Sequence, residues 1–230
     1  MLAEQARRPG RIARERPCVA PGCFAALGDS FTAGTGGARG EAWADIVAAE
    51  LVPALGSYFN LAVDGATSHD VLGQVRRAEA LRPSLITVIC GANDVLTSTR
   101  PDLDGFDVRL EEIFDRLLAI RPSTGLLTAT YPTAWGFLGL GPRTRRRVGD
   151  GIEAVNETVR TLARERSIPC LEIAGHPGLD ERRNFASDGL HPSPHGHREA
   201  ARAVLAEVAR LPGIPGGDES NQREEPAWSR

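Results

Sequence analysis

The chain has 230 residues, enough to bury one large core, and its 41% hydrophobic and 25% charged content is ordinary for a globular protein. A formal charge of −3 gives no electrostatic footing for nucleic acid or an anionic membrane, and no apolar run reaches the roughly 18 residues of a membrane span. All 27 basic residues are arginine, which excludes lysine-dependent chemistry such as a Schiff base or a Walker-type phosphate loop.

Residues 1–21 open with the Arg-rich MLAEQARRPGRIARERP, and no apolar h-region follows. They read as a flexible segment and not as a secretory signal, so a cytoplasmic location is the expectation. The organised domain spans 22–211, and the Pro-, Gly- and charge-rich tail 212–230 reads as disordered. Within the domain, short apolar runs at 23–27, 58–63, 85–90, 125–130 and 169–173 have the character of strands. Amphipathic stretches at 41–51, 69–82, 107–121, 146–167 and 195–211 have helical spacing, as in the stripe Leu110, Ile113, Phe114, Leu117 and Leu118. Five strands alternating with helices predict an α/β fold, a three-layer α/β/α sandwich around a five-stranded parallel sheet. The four cysteines (Cys18, Cys23, Cys90, Cys170) match no zinc spacing. The last three fall in strand-like runs, where a free thiol behaves as a small buried hydrophobe.

Open parallel sheets bind ligands beyond the carboxyl ends of their strands. The segments there are GDSFTAG (28–34), DGATSHD (64–70), GANDVL (91–96) and YPTAWGF (131–137). Ser30 is either a nucleophile beside helix N–H groups that favour an oxyanion, or merely a helix N-cap. In DGLHPSPHGH (188–197), Asp188 precedes His191 by three residues, and Pro192 and Pro194 keep the segment from being helical. Such a carboxylate can accept the imidazole Nδ1–H and leave the other nitrogen free to take a serine proton. The same segment supplies a rival metal list, Asp188 with His191, His195 and His197. His195 and His197 lie beyond the prolines and read better as a solvated helix start. Gly65 offers an unobstructed backbone N–H and Asn93 a side-chain amide, both suited to an oxyanion. Each alone is equally a turn glycine or an Asx-turn. The joint occurrence at successive strand ends carries the argument.

These blocks resemble those of the SGNH (GDSL-type) hydrolases: GDSFTAG the first, NLAVDGAT (60–67) the second, GAND (91–94) the third and DGLHPSPHGH the last. The resemblance covers about residues 23 to 209. It implies a flavodoxin-like sandwich and a metal-independent esterase that needs no cofactor and acts on a small-molecule ester through an acyl-enzyme. It also implies Ser30 as nucleophile, His191 as general base and acid, and Asp188 as the orienting acid. Ser30 N–H, Gly65 N–H and the Asn93 amide would form the oxyanion hole. Asp29 and Asp94 would shape their loops, and Phe31 stands where the motif's common name has Leu. An acyltransferase on the same machinery is the nearest alternative. A non-catalytic nucleotide or flavin binder is another, although it has no use for the Asp188/His191 pair. The stretch 131–147 carries Trp135 and Phe137 among glycines, then Arg143, Arg145, Arg146 and Arg147. It reads as a lid whose aromatics line a substrate pocket and whose arginines meet an anionic group, or as the start of an amphipathic helix.

Overall fold

Small and apolar side chains let β1 (Gly22–Gly28) run inside the sheet, between two neighbouring strands, with Cys23 through Leu27 all buried. Burial on both faces is what a parallel strand between two helical layers requires. In the computed structural model, which describes residues 22–121, 123–133 and 137–214, four further parallel strands complete its sheet. They are β2 (Gly56–Asn60), β3 (Leu85–Ile89), β4 (Gly125–Ala129) and β5 (Cys170–Leu171), in the order β2-β1-β3-β4-β5. This is the flavodoxin-like order, and its direction reverses between β1 and β3, where such sheets open a crevice.

The helices are α1 (Ser30–Ala33), α2 (Trp43–Leu55), α3 (Ser68–Leu81), α4 (Ala92–Leu96), α5 (Leu103–Leu118), α6 (Pro142–Glu165) and α7 (Pro194–Val208). α2 packs on α7, while α3 packs on α5 and α5 on α6, forming the two outer layers. In α5 the stripe Phe106, Leu110, Ile113, Phe114 and Leu117 is buried, each side chain stabilising by roughly 1.5–3 kcal/mol. Asp102 caps that helix by accepting from Gly105 N at 3.0 Å. Two short 3-10 turns, Pro177–Asp180 and Arg182–Asn184, lead into α7.

The sheet ends differ from the sequence expectation. β2 stops at Asn60, where the Asn60 side chain accepts from Ala62 N at 3.1 Å and turns the chain. Leu61 N and Val63 N still donate to Ala26 O and Gly28 O, at 2.8 and 3.1 Å, so the pairing continues irregularly. β5 shrinks to two residues because Thr130 Oγ1 accepts from Ile173 N and Ala174 N, at 2.8 and 3.0 Å, in place of ladder bonds. The core runs past residue 211 to the buried Ile214, which lies against Gly125. Cys23 and Cys90 are buried free thiols and Cys170 is half-buried, whereas Cys18, the segment 1–21 and the tail from 215 lie outside the described residues.

Candidate active site

The turn after β1 is built around Gly28, whose φ is +146° and whose added Cβ would lie 2.2 Å from Ile89 O. Only glycine fits there. The buried Gln74 side chain clamps the turn, accepting from Gly28 N and donating to Gly28 O, both at 2.8 Å. Asp29 is the N-cap of α1, its Oδ1 accepting from Phe31 N at 3.0 Å. Ser30 is therefore not the cap but the first helical residue, and its hydroxyl is free for another partner. That partner is His191: Ser30 Oγ lies 2.9 Å from Nε2. His191 Nδ1 lies 2.7 Å from Asp188 Oδ2. Asp188 Oδ1 accepts from Leu190 N and His191 N at 2.9 and 3.1 Å. This network assigns the Nδ1–H donor to Asp188 and leaves Nε2 as the acceptor toward Ser30. Partial burial opposes ionisation of Asp188, yet the hydrogen bonds from the His191 ring and from the two backbone N–H groups hold its carboxyl below the usual range.

The loop before α7 is tied at its base, with Ala186 N donating to His191 O at 2.8 Å and Phe185 bridging Pro192. Phe137 packs on this loop, its ring 5.2 Å from Phe185 and beneath the Arg182 guanidinium at 5.7 Å. Trp135 lies outside the described residues. From Pro142 onward the segment read as a lid or a helix is helix, and Arg147 donates to Val95 O at 3.0 Å and to Ser98 O.

The two amide candidates sit on loops that are stitched together. Gly65 has a φ of +76°, a conformation that disfavours any side chain. Asn93 Nδ2 donates one proton to Ala66 O at 3.0 Å, next to Gly65, and keeps its second proton. Asp94 accepts from Ser68 N at 2.8 Å and Ser68 Oγ at 2.6 Å, and Arg109 reaches Ser68 Oγ at 2.7 Å. The loop-shaping role expected for Asp29 and Asp94 is what these bonds perform.

His197 corrects the expectation of a solvated helix start. It is fully buried, its Nδ1 accepting from Trp43 N at 3.3 Å and its Nε2 donating to Thr35 O at 3.2 Å, and burial pushes it below the ordinary histidine range. His195 is half-buried, with Nε2 4.0 Å from Glu199. The sequence reading also passed over Gln74, Tyr131 and Asn156. Gln74 and Asn156 carried a signal, since each interrupts an apolar helical stripe: Val71, Val75 and Ala78 in α3, and Ile152, Val155 and Val159 in α6. Tyr131 O–H donates to Asp29 Oδ2 at 2.6 Å. Burial pushes Asp29 up to about 6, against the hydrogen bonds from Tyr131 and Phe31 N and the charge of His191.

A three-layer α/β fold whose sheet rim sets a serine hydroxyl, an imidazole and a carboxylate in series is the framework of an ester hydrolase. The chain belongs to the GDSL-like lipase/acylhydrolase family, whose family model matches residues 26–199. No curated protein matches it by sequence. Among solved structures, it is similar to a member of the lipolytic G-D-S-L family from Veillonella parvula at 19% identity and a TM-score of 0.65, covering 82% of this chain and 99% of that one. Phospholipase A1 from Streptomyces albidoflavus is similar at 20% identity and a TM-score of 0.63, with the same coverage, 82% and 99%. A variant of an acetyl-xylooligosaccharide esterase from Geobacillus is similar at 22% identity and a TM-score of 0.64, covering 81% and 93%. At these identities the likeness is one of fold.

Proposed function

We propose that the enzyme hydrolyses carboxylic esters through an acyl-enzyme on Ser30. The observation that carries this reading is the series Asp188–His191–Ser30, joined at 2.7 and 2.9 Å. Ser30 Oγ attacks the ester carbonyl carbon as His191 Nε2 takes its proton, and Asp188 holds the ring and supports the imidazolium. The tetrahedral oxyanion is received by the Ser30 and Gly65 N–H groups and by the free Asn93 amide proton. His191 returns the proton to the departing alkoxide. Water then attacks the acyl group, gives its own proton to His191, and the acid leaves as Ser30 regains its hydrogen. The names of the similar structures favour hydrolysis over acyl transfer, and they span phospholipid and acetylated sugar esters. Small-molecule esters are the substrates this site fits; among the described residues no helix is long and apolar enough to cross a membrane.

The test is ester hydrolysis with single variants and a panel from acetyl to long-chain p-nitrophenyl esters. Ser30→Ala and His191→Ala each abolish turnover and fluorophosphonate labelling, and Asn93→Ala lowers kcat on the order of 10²–10³ with KM little changed. Turnover retained by Ser30→Ala would overturn the mechanism.

A further inference from the structure

Two carboxylates flank the Ser30–His191 pair, Asp188 beside the imidazole and Asp29 next to Ser30 in the chain, and they differ in their access to water. Asp188 bonds Nδ1 directly, but its side chain is 46% exposed. Asp29 is fully buried directly before Ser30, whose Oγ lies 2.9 Å from His191 Nε2, and the charge of His191 favours its ionised form. Solvent screens an exposed charge, whereas a charge sealed in the interior acts across a gap with far less attenuation. The Asp29 carboxylate has two donors among the described residues, Phe31 N–H at 3.0 Å and Tyr131 O–H at 2.6 Å.

Tyr131 is built to stay where it is. The Asn156 side chain takes both its backbone groups, accepting from Tyr131 N at 2.7 Å and donating to Tyr131 O at 2.9 Å. Its ring meets Phe31 edge-on at 5.4 Å, and Phe31 in turn lies 5.6 Å from the His191 ring. Burial pushes the Tyr131 phenol far up, so it remains a donor. The remaining titratable neighbour is Cys90 at the end of β3, whose thiol burial also pushes well up and keeps neutral.

We propose that Tyr131 and Asp29 are positioning residues of the reaction: the Tyr131 hydroxyl keeps the Asp29 carboxylate charged, and that buried charge supports the His191 imidazolium while Asp188 aims the ring. This rests on the roles assigned to Ser30 and His191. Without the hydroxyl, burial is opposed by one donor fewer, so Asp29 holds its proton to higher pH.

The experiment is the pH profile of kcat for Tyr131→Phe, Asp29→Asn and the double variant, with thermal unfolding as a check on folding. In Tyr131→Phe, kcat at pH 7 falls roughly tenfold with KM within about twofold, the acidic limb moves to higher pH, and activity recovers toward pH 9. Asp29→Asn lowers kcat without alkaline recovery, and its limb, freed of the Asp29 titration, moves to lower pH. The double variant matches Asp29→Asn, because Tyr131 acts through Asp29. A merely structural role lowers kcat by one factor at every pH and leaves the limb in place. That result overturns the proposal, as does a double variant whose cost is the product of the two singles. Should Tyr131→Phe fail to fold, Asp29→Asn decides: an unmoved limb overturns the proposal. Ser30→Ala is measured alongside. Activity there sinks the nucleophile assignment, whereas an inactive Ser30 variant beside a Tyr131→Phe enzyme with the wild-type profile sinks only the Tyr131–Asp29 proposal.

Discussion

Asp29 sits where water cannot reach it, one residue before the proposed nucleophile, and the fold bears a cost for its charge. An ordinary aspartate carboxyl titrates near 3.8, and burial moves this one to about 6. A raised value means that the folded protein binds the proton more tightly than the unfolded chain does. The stability linked to Asp29 is therefore fully present below about pH 4 and is lost as pH rises through about 6. Relative to wild type, Asp29→Asn should be more stable at pH 8 than at pH 3.5 by about 2–3 kcal/mol, the worth of the two-unit displacement. Urea denaturation at the two pH values measures it, and an equal difference at both would mean that the carboxylate is solvated. The sequence showed Gly28, Asp29 and Ser30 as a turn because local chemistry makes that turn. It could not show Tyr131 as the partner of Asp29, since that contact is closed by β4 meeting β1 through β3.

At the scale of elements, what the sequence displayed was periodicity, and periodicity located all five strands and the five long helices. It gave no notice of where ladders would be taken over by side chains. Asn60 and Thr130 end β2 and β5 early in that way. Polar residues on apolar stripes were the legible trace of the site's supports. His197 falls in the stripe with Ala201, Val204 and Val208, which the two preceding prolines obscured. Gln74 stands likewise on the buried face of α3 and holds the Gly28–Ser30 turn from beneath. Gln74→Leu keeps the bulk and removes both bonds, stranding the Gly28 N–H in the core while Gly28 O keeps Val63 N. The expected loss is about 1–3 kcal/mol in a denaturant titration, with a fall in kcat as the Ser30 turn loosens. A loss confined to a few tenths of a kcal/mol would mean that water replaces the amide.

Across the whole molecule, the exclusive use of arginine becomes a structural device as well as an exclusion of lysine chemistry. On the face formed by α3, α5 and α6, guanidinium forks join neighbouring elements. Arg116 of α5 takes both oxygens of Glu79 on α3 at 2.9 Å. Arg166, just past α6, takes Asp115 at 2.6 Å and Glu111 at 2.8 Å on α5, with its side chain only 15% exposed. Arg160 reaches from α6 to Glu172 beyond β5, at 2.9 Å through both Nε and Nη2. A lysine at these places could meet one oxygen at a time, because its ammonium is a point charge without the planar fork. Exposed pairs contribute little singly, about 0.2–1 kcal/mol, and salt screens them. Arg166→Lys keeps the charge and most of the alkyl packing while removing the fork that spans two carboxylates. It should destabilise the protein by roughly 0.5–1 kcal/mol at low ionic strength, and the difference should shrink in about 1 M NaCl. Urea midpoints at the two salt concentrations test this. A penalty that does not change with salt would assign the role of Arg166 to packing of its buried stem.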